Sequence, residues 1–248
     1  MTADDAPLDL DIEDELERAR DLEVDVLADA IESIGFECTR CGACCTRDGD
    51  DEHTATVFPD EVRDLEGATG DEWRDVARPM PYGLHETADG DLAGETFEWA
   101  LQTDSCGDCV YYEEDDTGTG ACVAHEDRPL ICRTYPFSVA LGGTSQPMGE
   151  PVDSVALETQ SDAGEADDEA GILRAHECEG LGRDISREDA TDLARALKER
   201  AVRELEEAIS VRDNYEPATP GGESVVVHDS EGAKRIDGTS LEVDGKSE

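Results

Sequence analysis

Nine cysteines are the residues of this chain best suited to chemistry, and their spacing is not that of chance. Four fall within eight residues as Cys38-x2-Cys41-x2-Cys44-Cys45, a second close pair is Cys106-x2-Cys109, and Cys122, Cys132 and Cys178 follow singly. The turn inside a C-x2-C pair is tight enough for both sulfurs to converge on one ion. Gly42 and Gly107, each directly after a cysteine, let the backbone turn amides toward sulfur. Inert buried cysteine has no reason to adopt such spacing. The chemistry implied is metal ligation by thiolates.

The metal is open at this level. Cys38-x2-Cys41-x2-Cys44 matches the first three ligands of a bacterial ferredoxin run, with the fourth supplied from a distance, which points to an iron-sulfur cluster or iron. All-thiolate tetrahedral sets also hold zinc, and Cys106, Cys109, Cys122 and Cys132 make one candidate closed site. Cys38, Cys41, Cys44 and Cys45 are the primary candidate ligands, with Cys178 completing the pool. Extended backbone at Cys44-Cys45 would send the two sulfurs to opposite sides, so that they serve different centres or one stays a plain thiol. The C-x3-C-x2-C run of radical S-adenosylmethionine enzymes is absent.

Arg128 and Arg133 flank Cys132. A four-thiolate centre carries about two net negative charges, which adjacent guanidinium groups can offset, so both arginines are candidates to orient or neutralise the cluster. Pairing with surface acids is the competing role. His125, at C-x2-H spacing from Cys122, is a reserve ligand, and His176 stands two residues before Cys178; His53, His85 and His228 carry no signal. There is no glycine-rich phosphate loop or serine nucleophile elbow, and the carboxylates are too numerous to single out a catalytic pair.

The ordered set Phe36-Glu37-Cys38-x2-Cys41-Gly42-x-Cys44-Cys45, Cys106-x2-Cys109, Cys122, Arg128-Pro129-x2-Cys132-Arg133-x-Tyr135-Pro136-Phe137 and Glu177-Cys178-x-Gly180-x-Gly182 resembles the YkgJ-type cysteine-cluster family of CxxCxxCC zinc- or iron-chelating domains. The resemblance covers about residues 36–183. It implies a metal-binding domain of the kind often called an iron-sulfur oxidoreductase, related to a domain of flagellin lysine methylases, without fixing a reaction. The expected function is therefore a metalloprotein carrying an iron-sulfur cluster in electron transfer or redox sensing, with an unassigned redox or protein partner. The alternatives are a structural or chelating zinc protein without turnover and, on the family relation alone, an accessory to protein lysine methylation.

The elements that must position these thiols show in the hydropathy pattern. Ile12, Leu16, Ala19, Val26, Leu27, Ala30, Ile31 and Ile34 recur at helical steps over residues 8–34, and Gly35 ends the run. Ser186 and Asp189 resemble a capping box, after which Leu193, Leu197, Ala201, Leu205 and Ile209 predict a helix over about 187–212. Between them, strands are predicted at 54–58, 96–101, 109–112 and 152–157, helical turns at 59–65 and 71–77, and a turn over 115–120 joining Tyr112 to Ala121. Pro129 should open a short helix presenting Cys132. The run 158–170 reads as a solvated acidic loop.

The fold class expected is α+β: a small irregular, metal-organised core of short strands and helices flanked by two long helices. The organisation is an N-terminal helix over 1–35, a cysteine-cluster metal-binding domain over 36–183, a C-terminal helix over 184–215 and a polar, flexible tail over 216–248. Within that tail, Val225–Val227 and Leu241–Val243 are candidate hairpin strands.

Composition sets the surroundings. The 248 residues include 65 Asp and Glu against 20 Lys and Arg, a formal charge of -45. That balance argues against nucleic acid and against an anionic membrane surface, both of which call for clustered Lys and Arg. Acids spread along the chain with only Lys198, Lys234 and Lys246 resemble the halophilic-archaeal habit, in which molar salt cuts the Debye length to roughly 3 Å. No apolar run is long enough to span a bilayer, and the acidic start lacks the basic n-region of a secretory leader, so the expected location is cytoplasmic. In that reducing setting an odd number of cysteines reads as metal ligands before disulfides.

Overall fold

The computed structural model describes residues 11–49, 51–141, 151–157, 172–218 and 224–241. The acid-rich run 158–170 lies outside the described residues. In chain order the elements are α1 (Ile12–Asp21), α2 (Val24–Ile34), β1 (Thr56–Val57), α3 (Pro59–Thr69), α4 (Trp73–Val76), β2 (Ala77–Pro79), β3 (Leu84–Glu86), β4 (Leu92–Thr96), β5 (Trp99–Leu101), β6 (Tyr112–Glu114) and β7 (Gly120–Cys122). They continue with α5 (Leu130–Thr134), β8 (Phe137–Ala140), β9 (Pro151–Ala156), β10 (Ile172–His176), α6 (Arg187–Asn214), β11 (Val225–Asp229) and β12 (Gly232–Lys234). The fold is α+β, with short sheets between helices. It divides into two compact units, one of residues 1–41 and 132–206, the other of residues 42–131 and 207–248.

In the first unit the single helix predicted over 8–34 is two helices. Leu22 and Glu23 are extended, and the chain restarts at Val24. The charges suit two helices better than one: Arg18 and Arg20 sit in the last turn of α1 and Asp25 in the first turn of α2, each opposing a helix-end partial charge. Leu27, Ala28, Ala30 and Ile31 of α2 are buried, and α2 packs on β10, the centre of the antiparallel sheet β8-β10-β9. Helix α6 begins at the predicted place: the Ser186 hydroxyl accepts the Asp189 N–H at 3.1 Å and donates to the Asp189 carboxylate at 2.6 Å. It buries Ala190, Ala194, Leu197, Ala201 and Leu205. Arg200, only 2% exposed, lies on the same face, donating to Glu204 at 2.7 Å and to the Thr134 hydroxyl at 3.0 Å. A buried guanidinium requires such partners.

In the second unit β1-β5-β2 is antiparallel, and β12-β11-β4-β3 contains one parallel pair, β11 with β4. The predicted strand 96–101 is two, β4 and β5, in different sheets. The segment expected as a loose tail instead contributes β11 and β12 to the sheet: Val226 and Val227 are buried, and Val225–Asp229 pairs with Gly232–Lys234. Of the second patch, Leu241 donates its N–H to Ala233 O at 2.7 Å, and 242–243 lie outside the described residues. The partner of β11, β4, lies far upstream, so no local pattern announces the pairing. Trp99 Nε1 donates to Asp229 at 2.9 Å, and Lys234 Nζ sits 2.9 Å from the same carboxylate, a buried ion pair that fastens the hairpin to β5.

Candidate metal centre

Cys38 follows directly from the end of α2. Gly35 turns the chain at φ 79°, and a Cβ there would stand 2.4 Å from the Arg183 carbonyl oxygen. Residues 35–37 then run antiparallel to 180–182: Phe36 bridges Leu181, the Glu37 N–H donates to Gly180 O at 3.0 Å and the Gly182 N–H to Gly35 O at 3.0 Å. This ladder sets Cys38 beside the segment of Cys178. The Gly180 N–H points at Cys178 Sγ, 3.4 Å away, the amide-to-sulfur contact that stabilises a thiolate. Cys132 lies on α5, and the chain after it is tied to the same segment, since the Tyr135 hydroxyl donates to Glu177 O and the His176 N–H to Pro136 O at 2.9 Å. The first unit thus contains Cys38, Cys41, Cys132 and Cys178.

The second unit contains Cys44, Cys45, Cys106, Cys109 and Cys122. Gly42, at φ 80°, opens a tight turn in which the Cys45 and Thr46 N–H groups both donate to Gly42 O, at 2.7 and 3.1 Å. Extended backbone was the condition for sending Cys44 and Cys45 apart, and that condition is not met. The turn brings their Sγ atoms to 3.7 Å. The Cys45 carbonyl accepts the Cys109 N–H at 2.8 Å, and the Cys109 carbonyl accepts the Tyr112 N–H at 3.0 Å. The strand predicted at 109–112 is therefore a turn up to Tyr112, where β6 starts. Tyr112 pairs with Cys122 across the β6–β7 hairpin, which the acidic turn closes as predicted. Its ring covers Gly42 so closely that a Cβ there would stand 2.1 Å from the hydroxyl. One backbone network thus links Cys44, Cys45, Cys109 and Cys122. Cys106 is exposed on the preceding loop, its N–H held by Asp104 at 2.7 Å.

The charges follow this arrangement. The Cys44 thiol is brought down to about 7 by the hydrogen bond with Cys45, against the opposing effect of burial, and by its own backbone and Arg128. Burial pushes Cys109 up to about 11, and negative charge on Cys122 and Cys44 adds to the rise. Cys122 is raised by burial and eased back by its backbone and Arg128. Arg128, its Nε bonded to His125 O at 3.0 Å, therefore lies where its charge favours two thiolates. Arg133 is exposed on α5. His125 is exposed beside Glu126 at 3.2 Å, and His176 Nε2 is tied to Ser138 at 2.8 Å.

His53 is a residue that sequence reasoning passed over. It is buried against the cysteine turn, with Nε2 3.1 Å from Cys44 O and its backbone N–H bonded to Gly107 O at 2.8 Å. Burial lowers its pKa, so the ring is neutral at pH 7 and Nε2–H donates to the carbonyl. Nδ1 has no hydrogen-bond partner among the described residues. A histidine eight positions after Cys45 has no recognisable ligand spacing, and its place came only from the loop packing.

All nine cysteines are thiols rather than disulfides. Among the described residues, no three His, Cys, Asp or Glu side chains already surround a common ion position, and no helix is long and apolar enough to cross a membrane. The donors are soft sulfurs carried on short turns of an α+β fold, which defines a cysteine-rich metal-binding protein. Residues 37–179 match the CxxCxxCC family, described as "Putative zinc- or iron-chelating domain", and the chain belongs to that family. The matched span includes every cysteine of the chain. Comparison with curated proteins and with solved structures returned no match.

Proposed function

We propose that this protein chelates zinc or iron on thiolates, with Cys44 and Cys45 as two ligands of one ion. The observation that carries the reading is their sulfur separation of 3.7 Å. Two sulfurs at Zn–S distances of about 2.3 Å and a tetrahedral angle stand about 3.8 Å apart, so the pair already spans one edge of such a site. Cys109 and Cys122 on the adjoining turn and hairpin would supply the remaining sulfurs, and Arg128 would offset the excess negative charge. Bound in this way, the ion would close the loops on one another and contribute directly to folding stability.

The same edge bears on the redox reading. A two-iron cluster on four cysteines gives each iron two thiolates and accepts a pair this close; a four-iron cubane gives each iron one and does not favour it. Electron transfer or redox sensing by an iron-sulfur cluster, the first expectation from the sequence, is therefore the second reading, in its two-iron form.

Anaerobic purification followed by metal and sulfide analysis tests both. Stoichiometric zinc or iron without acid-labile sulfide in a protein lacking broad visible absorbance supports the one-ion site. Iron with equimolar sulfide and a brown colour supports the cluster. Native protein without bound metal that also takes none up when metal is supplied would overturn chelation altogether.

A further inference from the structure

The Cys38-to-Cys45 run looks continuous in sequence, yet the fold divides it after Cys41. We infer that the chain carries two separate thiolate metal centres, one built from Cys38, Cys41, Cys132 and Cys178, the other from Cys44, Cys45, Cys109 and Cys122. The inference rests on the chelation reading and goes further, because that reading is satisfied by a single ion.

Three observations support the division. The first is numerical: a tetrahedral ion takes four sulfurs, and the cut after Cys41 leaves four cysteines in one unit and five in the other, so both can close a site. The second is the backbone. In the first unit the ladder between 35–37 and 180–182 brings Cys38 alongside the segment of Cys178, with Cys41 three residues further on, and the bonds from Tyr135 and His176 attach the chain after Cys132 to the same place. In the second, the bonds from Cys109 to Cys45 and from Tyr112 to Cys109, with the Tyr112–Cys122 pairing, do the same for the other four. The third is the conformation at the join. Arg40, at φ 60°, and Gly42, at φ 80°, are both left-handed and bracket Cys41, the residue at which the first unit's opening segment ends. A non-glycine residue in that region carries a conformational cost, so its surroundings must hold it there. Cys106 belongs to neither set and stays an exposed thiol.

The division is tested by titrating full-length, reduced, metal-free protein with cadmium under anaerobic conditions and following thiolate-to-cadmium charge-transfer absorbance. The wild type should reach its plateau at two equivalents. Cys178→Ser and Cys122→Ser should each weaken the binding of one equivalent and remove one thiolate's share of the charge-transfer absorbance, leaving the other equivalent unchanged, and the double variant should weaken both. A wild-type plateau at one equivalent overturns the inference while leaving chelation intact. So does a folded single variant that loses the entire signal, or one that loses none of it. No charge-transfer signal in the wild type would remove the chelation reading itself. The wild-type plateau needs no substitution, so it decides between one ion and two even if a serine variant fails to fold.

Discussion

Glu61 Oε1 accepts the backbone N–H of Leu130 at 2.8 Å, while its other oxygen accepts the Phe58 N–H at 3.0 Å at the start of α3. One buried carboxylate thus caps a helix and pins the chain just beyond Arg128 and Pro129. The pinned residue is two positions past Arg128, whose charge acts on Cys44 and Cys122.

Glu61→Ala leaves two backbone donors without their acceptor and should cost about 1–3 kcal/mol in denaturant unfolding, the price of an unmade buried hydrogen bond. Glu61→Gln keeps one acceptor oxygen and should fall between the two. If Arg128 moves with the pin, the Cys44 thiol in Glu61→Ala should titrate higher than in the wild type. Alkylation followed by peptide mass measurement reads that shift directly.

Thiol reactivity in metal-free protein should follow the local charges. Cys44 should alkylate with a midpoint near pH 7 and Cys109 only toward pH 11, either side of the ordinary thiol value of 9.0. Arg128→Ala should move the Cys44 midpoint up, and Arg128→Lys should restore most of the difference because the effect is one of charge. The same values fix the sign of the stability effects. Cys44, lowered in the folded state, contributes stability present above pH 9 and lost as pH falls toward 7. Cys109, raised in the folded state, contributes stability present below pH 9 and lost as pH rises toward 11.

The two glycine contacts beside the cysteines should differ in how far they can be relieved. Gly42→Ala forces a left-handed alanine, a cost of about 1–2 kcal/mol from the backbone alone, and sets its Cβ against the Tyr112 ring. Trimming that ring in a Gly42→Ala, Tyr112→Leu double variant should recover part of the lost stability and metal content. Gly180→Ala instead meets the Glu37 carbonyl oxygen at 2.4 Å. Backbone cannot step aside as a side chain can, so this variant should lose more stability, and trimming the Phe36 ring, 3.0 Å from the same Cβ, should not relieve the clash with the carbonyl. Thermal unfolding with parallel metal analysis checks both.

Helix α6 was readable because its apolar stripe and Ser186 cap are local signals, and the observed helix runs two residues past the predicted end. The β6–β7 hairpin was readable for the same reason. The break between α1 and α2 was not, because the apolar positions on either side of Leu22 stay in helical phase and only the charges hint at two dipoles. The β11–β4 pairing escaped because parallel partners far apart in the chain leave no periodic trace.

By itself the sequence determined the donor chemistry: nine sulfurs, their close spacings, Arg128 among them and the amphipathic helices around them, all properties of residue type and local order. The tertiary structure alone decided that Cys44 and Cys45 face the same way, that His53 lies under their turn and that the cysteine run parts after Cys41. Side-chain direction there is set by left-handed turns at Arg40 and Gly42 and by hydrogen bonds to segments distant in the chain, which the spacing of cysteines does not encode.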